Sequence, residues 1–227
     1  MHQFLKARQD VLTQIEKACQ TAHRNSDDVQ LLAVSKTHPS TALEEMYRCG
    51  QRAFGENYLQ EALQKIADLK SLEIEWHFIG HVQRNKTKLL AENFAWVHGV
   101  DRLIIAQRLS TQRPQDMSPL NICIQVNIDS QESKDGCQPN EVMQLVEDMS
   151  QLPNIHLRGL MVIPAPNNRQ AFQDAQQLFD KVKENYPTLK TWDTLSMGMS
   201  GDLLDAVQAG STMVRVGTAL FGQRDYH

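Results

Sequence analysis

The sequence predicts an α/β fold, a single (β/α)8 TIM barrel preceded by an additional N-terminal helix. Short apolar runs alternate with amphipathic segments about eight times along the chain, and eight strand–helix units are what such a barrel needs. Polar residues follow several of these runs at their C-terminal ends, and no Pro-, Gly- or Ser-rich linker divides the chain. We therefore expect one domain over residues 1–227.

The N-terminal segment, residues 1–24, predicts the additional helix, which we expect to pack on the barrel. Its apolar residues recur at helical spacing with charges between them, and they are Phe4, Leu5, Val11, Leu12, Ile15 and Ala18. The run from Val29 to Ser35 predicts the first buried strand, because it is short and rich in branched apolar residues. Ser40 is then the expected N-cap of the next helix, and Gly50 is its expected end.

The remaining strands are predicted by the same alternation. They are expected at residues 52–56, 74–80, 94–100, 120–128, 156–163, 192–197 and 211–217, with helices between them. A doubly wound open sheet would show a similar pattern. We prefer a closed ring because the polar strand ends fall in the first, second, third, seventh and eighth units, and only a ring brings all of these together.

Composition argues against several classes of function. A formal net charge of −4 argues against general nucleic-acid binding, which requires a clustered positive surface, and we interpret the basic run at Arg84, Lys86 and Lys88 as a solvated face. No segment resembles a signal peptide or reaches membrane-spanning length. The cysteines lack CxxC spacing, which fits reduced thiols, so we expect a cytoplasmic protein.

Lys36 is the first candidate for chemistry. It ends the apolar run LLAVSK, so its amine would emerge at the barrel mouth, where desolvation lowers the pKa of a lysine and favours Schiff-base formation. A strand-end lysine that simply reaches solvent is the alternative.

Two glycine-bearing openings predict an anion site. Ser200, Gly201 and Asp202 stand at the start of a helix, while Gly217 and Thr218 follow the last strand. Backbone N–H groups at helix starts bind anions, and barrels commonly hold a phosphate between the loops after strands seven and eight. Capping turns without a ligand are the alternative.

Further polar residues are expected at the same mouth. Arg215 lies inside the last strand, where its guanidinium needs an acceptor such as a ring nitrogen, a phosphate or a neighbouring carboxylate. Glu56 and Asn57 close the second strand, and His81 follows the third. His77 and His81 are four residues apart but straddle a strand end, so we predict no metal site.

These motifs resemble the pyridoxal phosphate homeostasis protein family, which is similar in fold to the barrel domain of alanine racemase. The resemblance is carried, in the family's order over residues 31–222, by LLAVSK, FGENYLQEA, WHFIGHVQRNK, VNIDSQESKDG, RGLMVIP, LSMGMSGD and VRVGTALFG. It implies a fold type III site in which Lys36 carries pyridoxal 5′-phosphate (PLP) as a covalent aldimine.

The resemblance also implies how other residues contact PLP. The phosphate would be held by Ser200, Gly201, Gly217 and Thr218. The pocket wall would include Asn57, His81 and the backbone near Met199. Arg215 would face the pyridine nitrogen, and because a guanidinium stays protonated it would leave the ring a weak electron sink.

Three functions are compatible with these residues. The resemblance implies a protein that stores, buffers or delivers PLP, with apo-enzymes as recipients and without substantial turnover. We expect a monomer, because the second domain used in racemase dimers is not expected here. A racemase needs acid/base groups on both faces of the bound substrate, and Lys36 serves only one; we also expect no C-terminal domain, which supplies the opposite base in racemases. A phosphosugar enzyme with Lys36 as its Schiff-base lysine is the third hypothesis. Lys134, in the loop after the fifth strand, is a second amine expected near the mouth.

Overall fold

The computed structural model describes residues 2–223, which form a closed ring of eight strands with helices around it. The strands are β1 (Gln30–Val34), β2 (Ala53–Glu56), β3 (Glu75–Phe78), β4 (Trp96–Val100), β5 (Leu120–Val126), β6 (Ile155–Val162), β7 (Thr194–Ser196) and β8 (Met213–Val216). The helices are α1 (His2–Thr21), α2 (Ser40–Arg48), α3 (Leu59–Asp68), α4 (Thr87–Asn93), α5 (Leu103–Gln112), α6 (Val142–Ser150), α7 (Arg169–Asn185), α8 (Leu203–Gln208) and α9 (Thr218–Phe221). Short 3₁₀ turns lie at Ser26–Asp28, Arg84–Lys86 and Pro139–Glu141.

The ring closes between the first and the last strand. β1 pairs with β8 in parallel, with Leu32 opposite Arg215 and Ala33 opposite Val216. The other neighbouring strands are also parallel. The predicted (β/α)8 barrel is therefore confirmed, and the open doubly wound sheet is excluded.

Strand side chains alternate between two apolar clusters, because successive residues of a strand point to opposite faces. In β1, Leu31 and Ala33 belong to the large cluster shared with the helices, whereas Leu32 and Val34 belong to a smaller one inside the ring. The interior of the ring is thus a packed core and not a channel.

The N-terminal helix α1 lies against the last two helices of the described chain, α8 and α9. Its residues Val11, Ile15, Ala18 and Cys19 are buried. The Phe4 and Phe221 rings meet edge to face at a centroid distance of 6.0 Å. Met1 and residues 224–227, which the predicted domain also includes, lie outside the described residues.

The start of α2 differs from the sequence prediction. Ser40 was expected to cap the helix, but Pro39 occupies the N-cap position and has no side-chain capping bond. The Ser40 hydroxyl instead donates to Asp68 Oδ2 at 2.6 Å, because a carboxylate at the end of α3 offers a stronger, charged acceptor. At the other end of α2, Gly50 has a φ of 94°, as expected for the residue that terminates a helix.

No helix within residues 2–223 combines the length and the apolar character that crossing a membrane requires. The four cysteines, Cys19, Cys49, Cys123 and Cys137, are buried and form no disulfide.

Candidate functional site

A cavity of about 240 Å³ opens at the C-terminal end of the barrel, slightly below the roughly 300–1,000 Å³ of pockets for drug-sized ligands. It is lined by Val34, Lys36, Asn57, Ile79, Ile163, Met199, Ser200, Gly201, Arg215, Gly217 and Thr218. All the residues that the resemblance implies for PLP contact, except His81, are therefore brought together. The lining residues lie at the C-terminal ends of six different strands or just after them, which is the arrangement a closed barrel provides.

His81 lines the neighbouring cavity rather than this one. That cavity, of about 280 Å³, shares Asn57 with the first and extends over Tyr58 and Lys86. The His81 Nδ1 lies 3.1 Å from Asp135 Oδ1, and both side chains are about half exposed. His77, by contrast, is fully buried inside the barrel, so the two histidines do not face one another.

A larger depression of about 600 Å³ lies elsewhere on the barrel. Its walls include Asp193 and Thr212, the residues just before β7 and β8. It is therefore at the N-terminal end of the strands, the face opposite to the one that carries the active sites of barrel enzymes. We take the cavity lined by Lys36 as the functional one because it combines an amine, a guanidinium and open backbone amides.

Lys36 is held between two anchored neighbours. Ser35 is fully buried, and its hydroxyl donates to Glu56 Oε1 at 2.6 Å. On the other side, Thr37 has a φ of 68°, and its N–H donates to Glu61 Oε1 at 2.6 Å. These bonds restrain the chain on both sides of Lys36, so the point from which its side chain leaves the backbone is set before any ligand arrives.

The sequence prediction for Glu56 was wrong, because its side chain does not point into the mouth. Alternation along β2 turns Glu56 to the outer face of the barrel, where Lys65 Nζ donates to its Oε1 at 2.7 Å. Burial raises the pKa of Glu56, and the charge and hydrogen bond of Lys65 oppose that shift. Lys65 also donates to the Ser35 carbonyl at 2.8 Å.

Lys65 itself was missed by the sequence analysis. It is only 3% exposed, although lysine is among the residues least often fully buried. The available signal was its position on α3, three residues after Ala62, which is also buried, so that Lys65 falls on the apolar face of the helix.

Arg215 contributes a buried cation to the cavity. Its Nη1 donates to Ser196 Oγ at 2.8 Å, and its Nη2 donates to the Val162 carbonyl at 2.9 Å. Burial lowers the pKa of Arg215 to about 10, while the charge of Asp202 opposes that shift. Neither bond goes to a carboxylate, so a positive charge remains at the cavity wall.

The segment before α8 offers backbone donors to an anion. Within residues 2–223, the N–H groups of Ser200 and Gly201 have no carbonyl acceptor. Asp202 fixes this turn, because its Oδ1 accepts from the Met199 N–H at 2.6 Å. A β-carbon added to Gly201 would meet no atom within 4 Å, so the space beside these amides is open to a ligand.

The segment after β8 completes the cavity from the other side. A β-carbon on Gly217 would lie 3.3 Å from the Val34 carbonyl oxygen, so the absence of a side chain lets the ends of β1 and β8 approach closely. Across the cavity, Asn57 Oδ1 is buried and has no hydrogen-bond partner among the described residues. A buried acceptor of this kind costs free energy unless a ligand or water satisfies it.

Lys134 lies in a separate cavity that shares Ile163 with the first. Its Nζ is 3.0 Å from Asp129 Oδ2 and donates to the Ile163 carbonyl at 2.9 Å. The amine is therefore near the mouth, as expected, but engaged in an ion pair.

The fold and the cavity define a class of protein, the barrels described as "Alanine racemase, N-terminal domain", whose family profile matches residues 11–225. A solved alanine racemase from Clostridium difficile 630 superposes on the whole chain with a TM-score of 0.75 at 14% identity and is covered over 58% of its length. That likeness shows the fold.

Relatives identify the particular branch. PipY of Synechococcus elongatus PCC7942, solved with PLP bound, is 36% identical over 92% of this chain and all of its own, with a TM-score of 0.80. The pyridoxal phosphate homeostasis protein of Pseudomonas aeruginosa is 54% identical over 95% of this chain and 94% of its own. That of Escherichia coli K12 is 48% identical over 95% and 94%. The chain belongs to the pyridoxal phosphate homeostasis protein family.

Proposed function

We propose that this protein binds PLP in the cavity at the C-terminal end of the barrel and serves PLP homeostasis by storing, buffering or delivering the cofactor. One observation carries the proposal: Lys36 and the open amides of Ser200 and Gly201, far apart in sequence, line one cavity with Arg215. PLP has an aldehyde, a phosphate and a ring nitrogen, and the cavity offers an amine, an anion cradle and a guanidinium.

The residues divide among the parts of the cofactor. Lys36 Nζ is the amine that would bind the aldehyde carbon covalently. The phosphate would lie against Ser200, Gly201, Gly217 and Thr218. Arg215 would face the pyridine nitrogen, Asn57 would lie beside the ring, and the backbone of Met199 would form part of the wall. His81, in the adjoining cavity, would contact only a ligand that extends past Asn57.

We further propose that turnover is not the function. PLP supplies an electron sink to enzymes that use it, but racemisation also needs a proton-transfer group on each face of the substrate. Among the described residues that line the cavity, Lys36 is the one amine, and no histidine, tyrosine, cysteine or carboxylate accompanies it. Arg215, charged near neutral pH, would donate a hydrogen bond to the ring nitrogen but would not transfer a proton to it. The ring nitrogen would then stay unprotonated.

The test is to load the purified protein with PLP, reduce it with borohydride and locate the fixed pyridoxyl group by mass spectrometry. We expect the group on Lys36, and we expect Lys36→Ala to lose it together with the visible absorbance. Lys88→Ala is the matched control, because Lys88 is exposed and its ion pair with Glu92 lies at the surface. A pyridoxyl group of undiminished yield on another lysine of Lys36→Ala would remove Lys36 from its role.

Two further outcomes separate the alternative functions. A wild-type protein that acquires no visible absorbance with PLP would contradict PLP binding and favour the phosphosugar enzyme. Racemisation of a panel of chiral amino acids, dependent on Lys36 and near the typical enzyme rate of about 10 s⁻¹, would establish the racemase. Activation of a PLP-requiring apo-enzyme, with loss of the visible absorbance from this protein once the two are separated, would support delivery, with that enzyme as the recipient.

The organisation of the protein is also a proposal. We infer one domain over residues 1–227, supported by the packing of α1 on α8 and α9, and a monomer. We infer a cytoplasmic location, supported by four cysteines that are buried and form no disulfide.

A further inference from the structure

Five side chains form a continuous line of hydrogen bonds through the interior of the barrel. Beyond the bond from Arg215, Ser196 Oγ lies 3.1 Å from His98 Nδ1, and His98 Nε2 lies 2.9 Å from His77 Nδ1. His77 Nε2 lies 2.9 Å from Glu75 Oε1. Arg215 lines the cavity at one end, whereas the Glu75 side chain is 43% exposed at the other.

The two ends fix the direction of every bond between them. A guanidinium can only donate, and a carboxylate can only accept. If Ser196 accepts from Arg215 and donates its own proton to His98 Nδ1, then His98 donates from Nε2 to His77 Nδ1. His77 then donates from Nε2 to Glu75. Both imidazoles are neutral and protonated on Nε2.

The reverse direction would require a buried charge or an extra proton. If His98 donated from Nδ1 to Ser196, His77 would donate from Nδ1 to His98 and turn the lone pair of its Nε2 toward Glu75. That contact is repulsive unless a proton is added. Burial lowers the pKa of both histidines, that of His98 strongly, so the added proton is disfavoured inside the barrel.

Packing holds the rings in place. The His77 ring stacks on Trp96 at a centroid distance of 5.2 Å and an interplanar angle of 8°, and both histidines are fully buried. The rings therefore cannot swing to other partners without opening the core.

We propose that His98, His77 and Glu75 are positioning residues that engage the proton of the Ser196 hydroxyl, leave its oxygen as an acceptor directed at Arg215 and so hold the guanidinium at the cavity wall. Resting on the proposed function, this inference makes the far end of the barrel part of the PLP site. Arg215 would keep one orientation toward the ring nitrogen because the Ser196 hydroxyl that accepts from it is itself held by its hydrogen bond to His98.

The first test needs no PLP. Long-range ¹⁵N–¹H spectra of histidine-labelled protein should show both His77 and His98 as neutral Nε2–H tautomers at pH 7. Glu75→Ala removes the acceptor at the end of the line. His98, which is separated from Glu75 by two hydrogen bonds, should then shift to a mixture of tautomers. Glu73→Ala, a neighbouring exposed position, is the matched control and should leave both rings unchanged. An Nδ1–H tautomer or an imidazolium at either ring of the wild type would overturn the proposal.

The second test connects the line to the cofactor. Ser196→Ala should weaken PLP retention about tenfold, the size expected for loss of a hydrogen bond from a charged donor, and should shift the visible spectrum of the bound cofactor. Ser110→Ala, a buried serine that donates to the Pro153 carbonyl, should change neither. Unchanged retention and spectrum in Ser196→Ala would refute the positioning role while leaving PLP binding intact. Failure of the wild type to bind PLP would refute the proposed function and, with it, the inference that depends on it.

Discussion

The buried cation at Lys65 organises the residues next to the candidate PLP lysine. Its Nζ contacts the Ser35 carbonyl, Glu56 Oε1 and Glu61 Oε1 at 2.8, 2.7 and 2.5 Å. An ion pair this deep offsets its own desolvation only while both partners are present. Glu61 in turn accepts from the Thr37 N–H, so one lysine indirectly sets both flanks of Lys36.

Replacing Lys65 by methionine is expected to lower the free energy of unfolding by about 3–5 kcal/mol, because Glu56 would be left as an unpaired buried charge. Urea unfolding of the ligand-free protein measures this. Lys88→Met is the matched control: its ion pair with Glu92 is long, at 3.7 Å, and exposed, so the loss there should not exceed about 1 kcal/mol.

Adding Glu56→Gln to Lys65→Met should recover much of the lost stability, since no buried charge then remains. Equal losses in Lys65→Met and Lys88→Met would show that the buried pair does not contribute as the contacts indicate.

At the residue scale, the sequence was sufficient to predict which residues lie at the mouth of the barrel, because this depends on their position along each strand. Lys36, Ser200, Gly201 and Arg215 follow or end strands, and strand ends in a barrel meet at one mouth. Side-chain direction was harder: Glu56 and Asn57 were both expected at the mouth, although successive residues of a strand point to opposite faces. That explains the error at Glu56.

Among the strands, β6 is irregular at Gly159. The register between β5 and β6 shifts after Ile122, and Gly159 has a φ of 152°. A β-carbon there would overlap the Thr194 carbonyl oxygen of β7. The glycine therefore allows three neighbouring strands to pair around an irregular ladder.

Gly159→Ala is expected to cost roughly 3 kcal/mol or more of unfolding free energy, because the methyl group must displace backbone and adopt a disfavoured φ. Gly201→Ala is the control for stability, as its β-carbon would meet open space, and its effect should stay within about 0.5 kcal/mol. Both are measured by urea unfolding without ligand. A Gly159→Ala protein as stable as Gly201→Ala would contradict the steric argument.

At the element scale, the order and type of the strands and main helices were predictable, whereas their ends were not. The seventh strand was expected over residues 192–197 but pairs only over Thr194–Ser196. Trp192 and Met197 are buried, so the apolar run extends beyond the ladder. An apolar run in the sequence predicts which residues are buried, but it does not predict which of them pair with a neighbouring strand. The buried segment is therefore longer than the paired strand.

The histidines of the barrel interior give the whole molecule a dependence on pH. Burial lowers the pKa of His77 and of His98, so they stay neutral in the fold, while an unfolded chain protonates its histidines below about pH 6.5. The hydrogen bond from His77 also lowers the pKa of Glu75. The unfolded state therefore binds more protons throughout the acid range, and stability falls as pH falls.

We expect the free energy of unfolding to decrease below about pH 6.5 by up to roughly 1.4 kcal/mol per pH unit for each of the two histidines. Loss of the Glu75 contribution should follow at still lower pH. Urea titrations between pH 7.5 and 5 measure the slope. His156→Asn, at an exposed position of β6, should leave the slope unchanged, whereas a slope of zero in the wild type would contradict neutral buried rings.

The pairing of β1 with β8 has a consequence for synthesis on the ribosome. The first strand leaves the exit tunnel early, but its second hydrogen-bonding partner, β8, is the last of the eight strands of the ring to be translated. Until then a nascent sheet has two unprotected edges, which can recruit strands from other chains. Newly made molecules thus pass through an aggregation-prone interval whose length is set by the rate of translation, and a holdase chaperone that covers those edges would raise the yield.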